Sequence, residues 1–331
     1  MFDLFLVLVL TVHLVAANVA AAGPLVCLAL DWREVRYGDA LAGDVGRFLL
    51  RMSLLGLTVA IGLGGSALLV VWLSDWQRFY EAAARVPASR YWWALPELAL
   101  YVVCVAAYLR LWKAGVPRTA RQIWLRRILG LLAATNLAYH FPLLFIAIGV
   151  YSTRALSELV NFRAALVDPE IFSQFVHHLL ASVAVTGVAM MVYALWLERA
   201  RRPEVDVQRT AIWGGRVALI PTLMQWLAGL YVLLELPARA REGLLGGDTL
   251  GTCLFGAALL GVIVLMHRLA SVAFGETERR NLIGSIALML LVVLTMVGAR
   301  HRARQAAGVS VARIASAPAD AGKMKSTETL L

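Results

Sequence analysis

Residues 172–197 read FSQFVHHLLASVAVTGVAMMVYALWL. After the two histidines, His177 and His178, the stretch carries no ionisable side chain of the Asp, Glu, Lys or Arg type as far as Leu197. A hydrocarbon layer about 30 Å thick is crossed by about 20 residues of α-helix at about 1.5 Å per residue. This stretch is long enough and apolar enough to cross it. Seven further runs of the same kind fall at about 2–30, 52–73, 92–112, 128–150, 215–236, 249–271 and 281–299. The expected fold is therefore an all-α integral membrane protein of eight spans. Two four-helix bundles, residues 1–150 and 151–299, are expected, followed by a disordered basic tail, 300–331, that contacts the membrane surface.

Composition agrees. Of the 331 residues 60% are hydrophobic and 16% charged, against about 45–50% and about 25% in a soluble domain. The net charge of +10 belongs with Arg and Lys flanking apolar spans and facing anionic lipid. No basic, aromatic-bearing folded module is present, which excludes nucleic acid as a partner. Cys27, Cys104 and Cys253 lie inside apolar runs and read as small buried hydrophobes. With no C-x-x-C pair, structural zinc and covalently attached haem have no basis. The first charge is Asp3 and no basic segment precedes the first apolar run, so that run reads as a retained span.

The odd-numbered connections and the span ends beside them are richer in Lys and Arg than the even-numbered ones. The positive-inside rule then puts the N-terminus outside a prokaryotic plasma membrane. The basic tail, returned to the outside by an even number of spans, is an exception to that rule.

A central Asp, Lys or Arg costs about 2.5–3.5 kcal/mol on insertion scales, so intramembrane polar groups are informative. The candidates are His13, Glu97, His140, His177 and His178. His267, at a span end, and His301, in the tail, read as surface residues. Counted from the outer span ends, His13 and His140 lie about 15–17 Å deep and Glu97 and His178 about 9–10 Å deep. Imidazoles at one depth on several helices can ligate haem iron. Adjacent residues on a helix point about 100° apart, so only one of His177 and His178 can face a given iron. The plainer alternative for each is an interhelical hydrogen bond worth around 1 kcal/mol. Zinc is disfavoured by the absence of an H-E-x-x-H pattern. The GLGGSA stretch at 62–67 reads as a small-residue face for close helix approach.

HLLASVAVTG, from His178, resembles the start of the fifth membrane helix in subunit I of cytochrome bd oxidases, whose pattern is similar to F-V-H-T-V-A-S-G-Y-V-T-G. His178, Ala181, Ser182, Val185, Thr186 and Gly187 match without a gap. The preceding LVDPEIFSQFVH resembles the family's approach to that helix and favours His177 instead. The resemblance implies a b-type haem with His178 as axial ligand, and His13 resembles a second haem-ligating position. It implies a proton or haem-tuning role for Glu97, in ALPELALYVV, while the family's second acid falls on Val105. His140 lies outside the usual ligand set but is a candidate opposing ligand, like His13. The long quinol-binding loop is reduced to PARAREGLLGGD, Met266 is a poor counterpart of the family's methionine ligand, and a ninth helix is not evident.

The expectation is a haem b-binding electron-transfer subunit of a respiratory or redox complex, a component of an oxidoreductase at most, partnered by other membrane subunits and lipid. A quinone partner would have to bind without the usual loop. The alternatives are a haem-free structural subunit and a proton-coupled transporter.

Overall fold

The computed structural model describes residues 2–73, 77–113, 119–154 and 162–315. Among them are eight long membrane helices and three short ones, without strands. The long helices are α1 (Phe2–Tyr37), α2 (Ala40–Leu73), α4 (Ala88–Leu111), α5 (Ala120–Tyr151), α7 (Pro169–Arg199), α8 (Glu204–Glu235), α10 (Thr249–Ala273) and α11 (Arg279–Ala315). The short ones are α3 (Gln77–Ala84), α6 (Phe162–Ala165) and α9 (Ala238–Glu242), the last running into a π-turn at Gly243–Gly247. Each of the eight is long and apolar enough to cross a membrane. The chain is an all-α integral membrane protein.

Most spans are longer than the apolar runs because local signals set their ends. α5 starts at a capping box, in which the Thr119 side chain accepts from the Gln122 N–H and the Gln122 side chain accepts from the Thr119 N–H. α7 starts at Asp168, whose carboxylate accepts from the N–H groups of Glu170 and Ile171, with Pro169 next, where its missing N–H does no harm. α10 starts at Asp248, which accepts from Gly251 N–H. The largest departure from the sequence reading is α11. Its helix runs on through Ala315, well into the segment expected to be a disordered tail from residue 300. ARHRARQAA is a run of good helix formers, and its side chains find protein partners: Arg302 holds Asp248 at 2.7 and 2.9 Å, and His301 meets Asp3 at 3.0 Å.

α1 lies at the centre, packed against α2, α5, α7 and α11. One core combines Val26, Cys27 and Leu49 with Tyr108, Met190 and Tyr193, and a second joins Val19 to Val185, Leu265 and Val292. Both cores cross residue 150, so the two halves share an interior. The closest helix approach is not at 62–67. A Cβ on Gly62 or Gly65 would meet nothing, and only Gly64 is in contact, against the His13 ring. Backbone-to-backbone packing occurs instead where α7 meets α8. A Cβ on Gly187 would lie 2.5 Å from Ala218 N and 2.7 Å from Gly214 O.

At the end where α1 finishes, charges are paired. Asp31 and Arg126 are fully buried and bonded to each other, and Arg127 Nε reaches Asp31 at 2.7 Å. Trp112 Nε1 donates to Glu34 at 2.5 Å, and the Arg126 guanidinium lies over the Trp112 ring. Asp39 takes Arg33 at 2.8 Å and also Arg209 from α8. This network ties α1 to the start of α5 and to α8. Removing one partner of a buried pair leaves the other charge uncompensated, at about 3–5 kcal/mol. Asp31→Ala should therefore lower the thermal unfolding midpoint in detergent markedly, and Asp31→Ala with Arg126→Met should recover part of the loss. An unchanged midpoint for the single variant would show that the network is not structural.

Candidate functional site

The five candidate residues all sit in the half of the bundle where α1 and α7 begin. Asn18 and Ser182 link the two helices, with Ser182 Oγ 2.9 Å from Asn18 Oδ1 and the same distance from the His178 carbonyl oxygen. This ties the helices that carry His13 and His178, one turn from the His178 backbone.

The histidines differ in what holds them. His13 Nδ1 lies 2.8 Å from the Ala60 carbonyl. A carbonyl only accepts, so Nδ1 carries the hydrogen and Nε2 keeps its lone pair. The ring packs on Gly64, where a Cβ would come within 3.0 Å of Cε1. His177 turns towards α8, its Nε2 3.5 Å from Gln225 Nε2, and its Nδ1 is buried with no hydrogen-bond partner among the described residues. His140, on α5, turns to α4, with Nδ1 3.2 Å from Glu97 Oε1, while Glu97 Oε2 is buried without a hydrogen bond among the described residues. His178 alone of the four histidines has no side-chain hydrogen bond or ion pair among the described residues, and it remains half-buried. His13 thus faces α2, His177 faces α8 and His140 stays with Glu97 on the α4 side, and among the described residues no three His, Cys, Asp or Glu side chains are grouped so as to hold a metal ion.

The sequence reading missed three residues here. Gln174 accepts a hydrogen bond from Arg300, and Arg304 lies against Gly149 of α5. Arg300 and Arg304 were placed in the tail; their spacing of four residues, which puts both on one helix face, was the available signal. His301 is likewise not a surface residue, since it is buried between Asp3 and Gln305. His267 is exposed. Met266 is occupied elsewhere, its sulfur 3.1 Å from Trp226 Nε1. Val105 is fully buried in the apolar core.

Beside the site, Arg154 closes the connection into α7, bonded to Asp168 and to Glu170 at 2.6 Å each. A cleft of about 470 Å³ between Glu198, Arg202, Gln208, Glu276 and Arg279 opens at the other end of α7, about 30 Å from His178 along the helix.

An all-helical membrane protein with eight candidate spans among the described residues, and with its intramembrane histidines in one half of its depth, is the class that the fold and site define. No family model and no curated protein matches the chain. Among solved structures it is similar to a chain of the bd oxidase from Geobacillus thermodenitrificans, with a TM-score of 0.74 and 15% identity over 92% of this chain and 87% of that one. The two share a fold, and each is covered almost whole, so they are close in length.

Burial alone would raise the Asp168 carboxyl, but the Arg154 bonds and the N–H groups at the start of α7 hold it below its ordinary value. A depressed carboxylate contributes stability that is complete above the unfolded value, about 3.9, and is lost as pH falls through the folded one. The amide protection in the first turn of α7, taken as the intrinsic exchange rate divided by the observed one, should therefore be high at neutral pH and fall below about pH 4, and Asp168→Ala should lower it already at neutral pH. Protection in the native chain that is indifferent to acid would exclude this clamp.

Proposed function

We propose that the chain is a haem b-binding electron-transfer subunit of a membrane redox complex, seated in a prokaryotic plasma membrane with its N-terminus outside and accompanied by other subunits. The observation that carries this reading is His178: a half-buried imidazole at membrane depth whose ring has no hydrogen bond or ion pair among the described residues. A polar ring is retained at such depth for a purpose, and the shared bd-oxidase fold makes haem ligation the natural one.

The residues fit the group. His178 supplies an open ring nitrogen. His13 has the tautomer of a ligating histidine, with Nδ1 fixed by a carbonyl and Nε2 available, and would be a second residue able to hold the group. His177, turned to Gln225, positions the start of α7, and His140 is held by Glu97. When bound, haem supplies a one-electron couple whose potential follows its ligands and the surrounding charge. Glu97 and His140 form an acid–imidazole pair that can hold or pass a proton at Oε1 and Nδ1 as that charge changes.

A second reading is a haem-free structural subunit. Its support is that His13, His177 and His140 each already meet a neighbouring helix, as polar glue between membrane helices does.

The two separate on one spectrum. The purified chain, expressed with ample haem, should show a Soret band and a reduced-minus-oxidised b-type signal. His178→Ala should abolish it, and His177→Ala should keep most of it. Pigment-free protein would contradict the haem reading, and the opposite mutant pattern would move the ligand to His177.

A further inference from the structure

α11 carries two arginines, Arg300 and Arg304, within a membrane span and one turn apart on one face. That face meets α7 and α5. Arg300 donates to Gln174 of α7, and the Arg304 guanidinium rests on Gly149 of α5, where a Cβ would come within 2.2 Å of Nη2. An arginine placed only to reach lipid headgroups would extend outwards along its helix; these two turn to neighbouring helices. Among the described residues no carboxylate lies within ion-pair distance of either. The nearest acid, Glu170, is committed to Arg154, while Asp248 and Asp3 are engaged by Arg302 and His301 on other sides of α11. Like charges four residues apart on a helix repel. The histidines facing them, His177 and His178, bring no negative charge. Arg300 keeps an exposed surface and Arg304 is half-buried, so both guanidinium groups are open to a ligand.

A positive pair with no ion-pair partner among the described residues, open at its surface, suits an anionic ligand. We propose that Arg300 and Arg304 form a seat for the acidic group, carboxylate or phosphate, of one amphiphilic molecule whose apolar body lies between α7 and α11 beside His178. If the haem reading above holds, the acid is a haem propionate and His178 faces the iron. If it does not, the acid is the phosphate of a retained phospholipid. The seat is common to both, because guanidinium groups bind either anion through paired N–H donors.

The test is binding to the delipidated full-length chain in detergent, with haemin, phosphatidylglycerol and phosphatidylcholine as probes. The wild type should bind haemin or phosphatidylglycerol at least about tenfold more tightly than phosphatidylcholine, and Arg300→Gln/Arg304→Gln should lose that preference by about tenfold or more. The double Lys variant should retain part of it. Arg304→Gln alone guards against misfolding, since Arg304 makes no hydrogen bond to the described residues, and thermal unfolding should be unchanged. Arg-dependent phosphatidylglycerol binding without haemin binding keeps the seat and removes the haem reading. Haemin binding that is lost in His178→Ala but unaffected in the double Gln variant, with no Arg-dependent lipid preference, keeps the haem reading and removes the seat. A wild type with no preference for either acidic probe overturns the seat outright.

Discussion

Hydrocarbon offers no hydrogen bonds, so a polar group carried into it must be satisfied by protein or by something the protein binds. The whole structure follows that constraint. Backbone groups are satisfied within helices. Serine and threonine hydroxyls bond back one turn, as Thr11 does to Val7 and Thr186 to Ser182. Charges at the end of α1 are gathered around Asp31, Glu34 and Asp39 until each has an opposite. Some buried atoms, among them His177 Nδ1 and Glu97 Oε2, are left without a hydrogen bond among the described residues, and His178, Arg300 and Arg304 have no ion-pair partner there. Arg300 meets α7 at Gln174, one turn before His178, and Arg304 lies one turn further along α11 against α5; these three residues carry the functional argument.

The central helix explains how the helices that carry them come together. α1 is fixed at one end by the Asp31 pairs and at the other by Asp3 with His301, and at mid-depth Asn18 joins it to Ser182 of α7. With both cores crossing residue 150, α1 and α7 stay in register. The register sets the helices that carry His13 and His178 side by side. Close contact at Gly187 and Gly214 locks α7 to α8 and leaves the other side of α7 for α1 and α11.

The spans were legible in the sequence because hydrophobic length is a local property. The eight runs needed no knowledge of packing, and their extension by caps at Thr119 and Asp168 adds about one to two turns at those ends. The candidate histidines were legible too, as rare polar residues in apolar runs. Their partners were not. Ala60 contributes a backbone carbonyl, which no sequence pattern marks. Arg300 and Arg304 were hidden by composition, since a basic segment after the last apolar run looks like a tail until the acids and amides that receive it are known. The 62–67 glycines misled in the opposite direction. Their spacing suits close packing, but which face meets a neighbour is decided by tertiary structure, and only Gly64 does so, against a side chain.

The most direct test is a cryo-electron microscopy map of the purified chain, read between α7 and α11. The account predicts continuous non-protein density that reaches the Arg300 and Arg304 guanidinium groups at one end and passes the His178 ring. A crevice closed by side chains, with both arginines turned outwards to the headgroups and His178 bonded to a neighbouring helix, would contradict it.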